Sequence, residues 1–149
     1  MEIDKAIKQK SFKSEYERLA INILYTAGWI NALNVQRFKP YRISPQQYNV
    51  LRILRGQYPN PATVNLIQER MLDPMSNVSR LVEKLRERGL VERRTCETDR
   101  RACDVLITPE GLEVLEAIDQ THDEWEKNFQ SLSRAEAREL NRLLDKLRA

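Results

Sequence analysis

The stretch from Thr63 to Thr108 constrains the fold of this chain more than any other part of its sequence. Two segments with helical spacing are joined by a short turn, and two β-prone runs follow them directly. Four apolar residues of the second segment recur at helical spacing and predict one buried stripe: Val78, Leu81, Val82 and Leu85. Gly89 then supplies a residue that readily takes the left-handed conformation in which many helices end. The pattern predicts a helix-turn-helix followed by a β-ribbon.

The second helix of this pair carries a polar face opposite its apolar stripe. We predict that it begins with Asp73 as N-cap and Pro74 at the first helical position. Small hydrogen-bonding side chains with Arg and Lys, near the start of such a helix, suit base edges and phosphates in a major groove. The residues predicted to contact DNA from this helix are Ser76, Asn77, Ser79, Arg80 and Lys84. Taken alone, an ordinary amphipathic helix with a solvated polar face explains the pattern equally well.

The β-ribbon favours a DNA-binding helix over an ordinary solvated one. Its two runs, 90–94 and 103–107, are separated by an arginine-rich segment too long for a tight two-residue turn. A helix-turn-helix followed by such a hairpin is a winged helix, whose basic tip reaches phosphates or the minor groove beside the recognition helix. We therefore add Arg94, Arg100 and Arg101 to the predicted DNA contacts.

The wing also carries a family resemblance. The run from Asp99 to Thr108 resembles the D-x-R-x5-L-T signature of the multiple-antibiotic-resistance-regulator (MarR) family, with Ile107 in place of Leu. The run from Val78 to Val91 is similar to the same family's segment from recognition helix to wing. The resemblance implies that Asp99 pairs with an arginine to fix the wing while a neighbouring arginine enters the minor groove. The sequence leaves the choice of arginine open, and we assign Arg101 to the pair and Arg100 to the tip.

Length and composition fit a small globular protein. The chain has 149 residues, a net charge of +3 and 32% charged residues, which favours a single globular domain. It has no apolar run long enough for a transmembrane helix, and its first residues lack a signal-peptide core, so we expect no membrane association. Two cysteines without an export signal favour the cytoplasm.

The fold class predicted is mainly α with a small β-wing. We treat residues 1–149 as one domain, in which about 44–108 form the winged helix-turn-helix and about 1–40 and 109–149 the flanking helices. A long helix is expected from Ser14 to Phe38, and capping boxes at Ser44 and Ser133 predict two more helix starts. Between them, one helix opening at Pro109 is expected to carry an apolar stripe as far as Phe129.

The apolar stripes of the flanking helices exceed what a winged helix needs for its own core. Such stripes usually meet a second copy of the chain, although an intramolecular partner stays open. The resemblance implies the same, because MarR-family regulators form homodimers through these helices. A two-fold dimer places its recognition helices about 34–36 Å apart, which predicts a palindromic operator in double-stranded DNA.

Two cysteines and one histidine are candidates for redox or metal chemistry. Cys96 and Cys103 flank the wing tip, where oxidation would alter DNA binding, but two unreactive thiols are the commoner case in a reducing cytoplasm. His122 has acidic neighbours, but one histidine with carboxylates is a poor transition-metal site, so no metal and no cofactor are expected.

Regulators of the family often bind a small aromatic or phenolic acid between the dimerisation helices and the winged helix. The resemblance therefore implies an aromatic effector, with Trp29, Tyr48 and Arg52 as candidate pocket residues. Each of the three is equally explained as ordinary core or surface. Effector binding would shift the population of DNA-competent dimers.

These observations predict a homodimeric, sequence-specific DNA-binding transcriptional regulator. We expect a repressor released by a small aromatic ligand, although no residue distinguishes a repressor from an activator. The alternative is a winged-helix module that binds a protein partner without DNA. An enzyme is not expected, because the sequence has no glycine-rich phosphate loop, no Cys/His ligand cluster and no nucleophile with a nearby histidine.

Overall fold

A computed structural model describes residues 1–94 and 104–149. The chain begins with a short helix α1 (Ile3–Ala6) and the long helix α2 (Glu15–Phe38), followed by a 3-10 turn at Lys39–Tyr41. Ser14 caps α2 by accepting a hydrogen bond from the Glu17 N–H. The predicted long first helix is confirmed at both ends.

The winged helix-turn-helix follows in the predicted order. Its elements are α3 (Pro45–Gln57), β1 (Ala62–Thr63), α4 (Val64–Arg70), α5 (Val78–Glu87), β2 (Val91–Arg94) and β3 (Asp104–Ile107). The capping box predicted at the start of α3 is present, with Ser44 and Gln47 each accepting the other's backbone N–H. Gly89 has a φ of 72° beyond the end of α5, so the predicted helix stop is confirmed.

The sheet is antiparallel, with strand order β1-β3-β2. Val91 lies opposite Ile107 and Arg94 opposite Asp104, so β2 and β3 form the ribbon that the sequence predicts. The strand β1 was not predicted: Ala62 pairs with Val105, and α4 begins only at Val64. Two residues are too few to show an alternating pattern, and their pairing partner lies far along the chain.

The start of α5 differs from the prediction. Asp73 and Pro74 belong to a turn, and the N-cap is Asn77, whose Oδ1 accepts a hydrogen bond from the Arg80 N–H at 3.2 Å. Asp73 instead accepts from the Met75 N–H at 2.9 Å and fixes the turn before the helix. The Asp-Pro pair was a valid local cap signal, but its carboxylate closes a turn of its own.

The C-terminal part has α6 (Pro109–Asp119), α7 (His122–Glu126), a 3-10 turn (Lys127–Phe129) and α8 (Arg134–Arg148). The single helix expected as far as Phe129 was wrong, because the chain breaks at Gln120 and Thr121. The Thr121 hydroxyl donates to the Ile118 carbonyl at 2.7 Å and so competes with the helical ladder. The capping box that opens α8 at Ser133 is present as predicted.

The buried apolar core belongs to the winged helix. Among the described residues it extends from Phe38, at the end of α2, to Ile118, near the end of α6. Val50, Leu51 and Leu54 of α3 form its centre. The long helices α2 and α8 lie largely outside this core: Phe38 is the buried residue of α2, and α8 has none.

Candidate nucleic-acid interface

The helix α5 separates an apolar face from a polar one. Val78, Val82 and Leu85 are fully buried and anchor the helix to the core. The opposite face is exposed and carries three hydrogen-bond donors, the hydroxyl of Ser79 and the cationic groups of Arg80 and Lys84. A helix held on one face and presenting donors on the other is free to enter a groove.

Ser76 and Asn77, also predicted as DNA contacts, are placed differently. Ser76 is half-buried, and its hydroxyl oxygen is enclosed without a hydrogen-bond partner among the described residues. Asn77 is exposed, but its side-chain oxygen caps the helix. Base contacts from these two side chains stay predictions, and they require Ser76 to rotate outward or Asn77 to use its amide group.

The strand β2 lies beside α5 through an ion pair. Arg93 Nη1 lies 3.9 Å from Glu83 Oε2, and Arg86 donates to the same carboxylate at 2.5 Å and 3.1 Å. The hydrogen bond from Arg86 lowers the pKa of Glu83, and the charges of Arg86 and Arg93 lower it further. The acid therefore stays ionised and ties the recognition helix to the base of the wing.

The next residue of β2, Arg94, is exposed on the same ribbon. It adds an exposed cation to the wing, as the predicted DNA contact requires. The predicted tip residues Asp99, Arg100 and Arg101 lie outside the described residues. Cys96 and Cys103 lie outside them as well.

A cleft of about 1020 Å³ lies between α2, α3, the turn after α4 and the segment from α6 to α7. Tyr48 and Arg52, two of the predicted pocket residues, line it. The third, Trp29, is not brought together with them. Its ring packs edge-on against Phe129 at 5.7 Å.

Aromatic rings form part of the cleft wall. Phe38 and Tyr48 stack with ring centroids 4.1 Å apart, and the Arg52 guanidinium lies 5.8 Å from the Tyr48 ring. Trp125 contributes from α7, where its Nε1 donates to Asn34 Oδ1 at 3.0 Å. The cleft therefore offers flat apolar surfaces next to a cation.

Two arginines that the sequence did not single out hold the cleft together. Arg37 donates to the Thr121 hydroxyl at 2.9 Å and lies 4.9 Å from the Trp125 ring. Arg55 pairs with Asp119 at 2.6 Å. Both contacts join residues more than sixty positions apart, so no local pattern could reveal them.

The long helices leave apolar side chains uncovered. On α8, Leu140, Leu143 and Leu147 recur at helical spacing and are 45–55% exposed. On α2, the exposed large side chains are Tyr16, Leu19, Leu24, Tyr25, Trp29 and Val35. Contiguous apolar faces of this kind are typical of surfaces that bind another protein.

Other kinds of site find little support in the part of the chain that the structure describes. No group of three or more potential metal ligands comes together among residues 1–94 and 104–149. His122 Nε2 lies 3.7 Å from Glu126 Oε2, one helical turn away. Within the same ranges, every helix is too short or too polar to cross a membrane.

A helix-turn-helix whose second helix leads into an antiparallel ribbon defines the winged-helix class of proteins. Comparison with known proteins narrows the class. The MarR family's sequence model matches residues 43–102. A MarR transcription factor from Planctomyces limnophilus is 30% identical, with 91% of this chain and 98% of that chain covered and a TM-score of 0.69. The chain belongs to the MarR family of winged-helix transcriptional regulators.

Two further proteins are similar to this chain. The HTH-type transcriptional repressor IacR of Pseudomonas putida is 26% identical over 114 residues, which span 75% of this chain and 67% of that protein. A mutant of MarR from E. coli, solved in complex with operator DNA, has a TM-score of 0.80 at 21% identity, with 93% of this chain and 99% of that chain covered. At this identity the second comparison supports the fold alone.

Proposed function

We propose that this protein is a homodimeric, sequence-specific DNA-binding transcriptional regulator that acts in the cytoplasm. The observation that carries the proposal is the exposed polar face of α5, with Ser79, Arg80 and Lys84 outward and the opposite face locked into the core. Arg94 adds an exposed cation on the wing. Side chains of this kind contact phosphates and the donor and acceptor pattern of the major groove.

The uncovered apolar faces of α2 and α8 support a homodimer. Burying apolar area is favourable at about 25 cal/mol per Å², and these faces stay outside the core of their own chain. A second copy covers them most simply, because closed two-fold dimers are the commonest assemblies. Two recognition helices related by such an axis read half-sites about one turn of B-DNA apart, so the operator is a palindrome.

The cleft supports regulation by a small aromatic ligand. Its volume, about 1020 Å³, is ample for such a molecule, since pockets of this kind measure about 300–1,000 Å³. Tyr48 and Trp125 offer ring faces, and Arg52 offers a cation for a carboxylate or phenolate. We propose repression of target genes, as the name of the relative IacR states for that protein, with release when the ligand binds.

Selection from random duplex DNA tests the proposal directly. The purified protein is used under reducing conditions, and the affinity for the selected duplex is compared with that for a scrambled one at fixed salt. We expect a palindrome whose half-site centres lie about 10 base pairs apart, bound at least about a thousandfold more tightly than the scramble. Equal binding to both duplexes would contradict sequence-specific recognition and favour a module that binds a protein partner.

The variant Arg80→Ala tests the assigned face of α5. Losing a base or phosphate contact from this arginine costs about 1–3 kcal/mol, or roughly fivefold to more than a hundredfold in affinity. Arg134→Ala is the matched control, because it removes the same charge from an exposed position on α8. If both variants bind the selected site equally well, Arg80 is not part of the interface.

The variant Leu143→Glu tests the dimer, because a charge in the apolar stripe of α8 disfavours its burial. We expect monomers by sedimentation equilibrium, together with weakened operator binding. Asn141→Glu places the same side chain at an exposed position off the stripe and is expected to stay dimeric. A dimeric Leu143→Glu protein, or a monomeric wild type, would contradict the assembly.

Fluorescence tests the ligand cleft. The background Trp29→Phe leaves Trp125 as the one tryptophan, because the chain has two. Titration with benzoates and phenols is expected to change its emission and to lower operator affinity, and Arg52→Ala is expected to weaken binding of the carboxylates. A ligand that perturbs Trp125 but leaves operator affinity unchanged would contradict a regulatory role.

A further inference from the structure

The turn between α4 and α5 exposes an apolar side chain at the edge of the candidate interface. Met75 is 88% exposed although it lies two residues before Asn77, the N-cap of α5. Its polar neighbours are arranged the other way, with the Ser76 hydroxyl enclosed and the Asn77 side-chain oxygen bound to the helix. An exposed apolar side chain thus lies next to a serine whose hydroxyl is enclosed, against the usual preference of these residue types.

The backbone that carries Met75 is fixed by hydrogen bonds. The Met75 N–H donates to Asp73 Oδ1 at 2.9 Å. Gln68 Nε2 donates to the carbonyls on either side of Met75, to Pro74 at 3.1 Å and to Ser76 at 3.0 Å. The backbone at Met75 is therefore held in place before any partner arrives, which lowers the backbone entropy lost on binding.

The position of Met75 next to the recognition helix places it where it would meet the floor of the DNA major groove. Recognition helices contact base edges with their N-terminal residues, and Met75 lies at that end of α5, on the same segment as Ser79 and Arg80. Among the groups on the floor of the major groove, the 5-methyl group of thymine is the apolar one. A thioether side chain is flexible and polarisable, and so adapts well to a small apolar target.

We propose that Met75 recognises a thymine in each half-site by packing against its 5-methyl group. The inference rests on the proposed function, because it assigns one base preference to the DNA-binding surface. Met75 thus supplies specificity, while Arg80 and Lys84 supply polar contacts.

The neighbouring exposed residue Leu72 does not share this role. It is 89% exposed, but it lines the cleft together with Met71 and Asp73. Its N–H donates to Asn49 Oδ1 on α3 at 2.8 Å, which holds it towards that side of the turn. Leu72 is therefore a matched control of equal exposure on the same turn.

The test replaces thymine by deoxyuridine, one position at a time, in the duplex that the wild-type chain selects. This change removes the 5-methyl group and keeps the base pair. When the contacted thymine is replaced in one half-site, we expect about fourfold weaker binding, because one buried methyl group is lost. Replacement in both half-sites is expected to weaken binding about fifteenfold.

Protein variants connect the methyl group to Met75. Met75→Ala is expected to bind the thymine and deoxyuridine duplexes equally, while Met75→Leu and Leu72→Ala keep the preference for thymine. The proposal is overturned if every deoxyuridine duplex binds the wild type within twofold of its thymine parent, or if Met75→Ala keeps the preference. A wild type that selects no duplex at all overturns the proposed function and this inference with it, and that result is distinct from specific binding without methyl dependence.

Discussion

The helix α6 approaches Leu90 and Ile107 closely at Gly111, and this approach supports a sharp stability prediction. Thr108 caps α6 by accepting from the Gly111 N–H at 3.1 Å, and its own hydroxyl donates to the Gly89 carbonyl at 2.7 Å. These bonds draw the first turn of α6 onto the backbone at Leu90. A methyl group at Gly111 would meet the Leu90 carbonyl oxygen well inside 3.0 Å and Ile107 Cγ1 at 2.7 Å.

The substitution Gly111→Ala therefore has two opposing effects. Alanine is favoured over glycine inside a helix by about 1 kcal/mol, whereas forcing a side chain into a packed site costs about 1–3 kcal/mol or more. The upper end of this cost applies at Gly111, because the nearest atom is the backbone oxygen of Leu90, which cannot rotate away. The expected net loss is about 2 kcal/mol in the free energy of unfolding, or about 4–8 °C in Tm for a chain of this size.

Thermal and urea unfolding, followed by circular dichroism at one protein concentration, measure this loss. Gly56→Ala is the matched control, because Gly56 lies inside α3 and a Cβ there meets nothing within 4 Å. It is expected to raise the free energy of unfolding by about 0.4–1 kcal/mol. If Gly111→Ala is as stable as Gly56→Ala, the approach of α6 to Leu90 is not the constraint described.

Three further predictions concern helix caps and acid stability. Asn77→Ala is expected to lower the free energy of unfolding by about 1 kcal/mol through loss of the α5 cap, and Asn77→Asp to retain most of it, as urea unfolding will show. Ser133→Ala is expected to cost a similar amount at α8, read as lost ellipticity on heating. Glu83 has a lowered pKa in the folded state through its bond to Arg86, so its contribution is complete above the ordinary value of 4.5 and is lost as the pH falls through the folded value. Glu83→Gln should therefore flatten the decline of urea midpoints below about pH 4.5, and an unchanged decline would count against the ion pair.

The sequence predicted the helix starts that depend on neighbouring residues. Four hydroxyls each accept a backbone N–H three residues ahead, and all four lie where the sequence predicts that a helix starts: Ser14, Ser44, Thr108 and Ser133. A cap of this kind is complete within one turn of helix, so its signal is local. The β-ribbon and the order of the elements followed from equally local patterns.

Features that depend on distant residues were missed. The strand β1 exists because Ala62 pairs with Val105, and the break between α6 and α7 is held by Arg37 of α2 bonding to Thr121. For the same reason the sequence identified Tyr48 and Arg52 of the cleft but not Arg55, whose place follows from its contact with Asp119. Their partners lie on separate elements, and periodicity within one element carries no information about them.

The wrong assignment of Asp73 shows how a local reading hid a connection in the fold. As an N-cap, Asp73 would belong to the recognition helix alone. In the structure it closes the turn before α5 and also lines the cleft, next to Met71 and Leu72. One short segment therefore borders the proposed ligand site at one end and leads into the proposed DNA-reading helix at the other. Because Gln68 and Asp73 hold that segment through hydrogen bonds, it forms a continuous, ordered connection between the cleft and the start of α5.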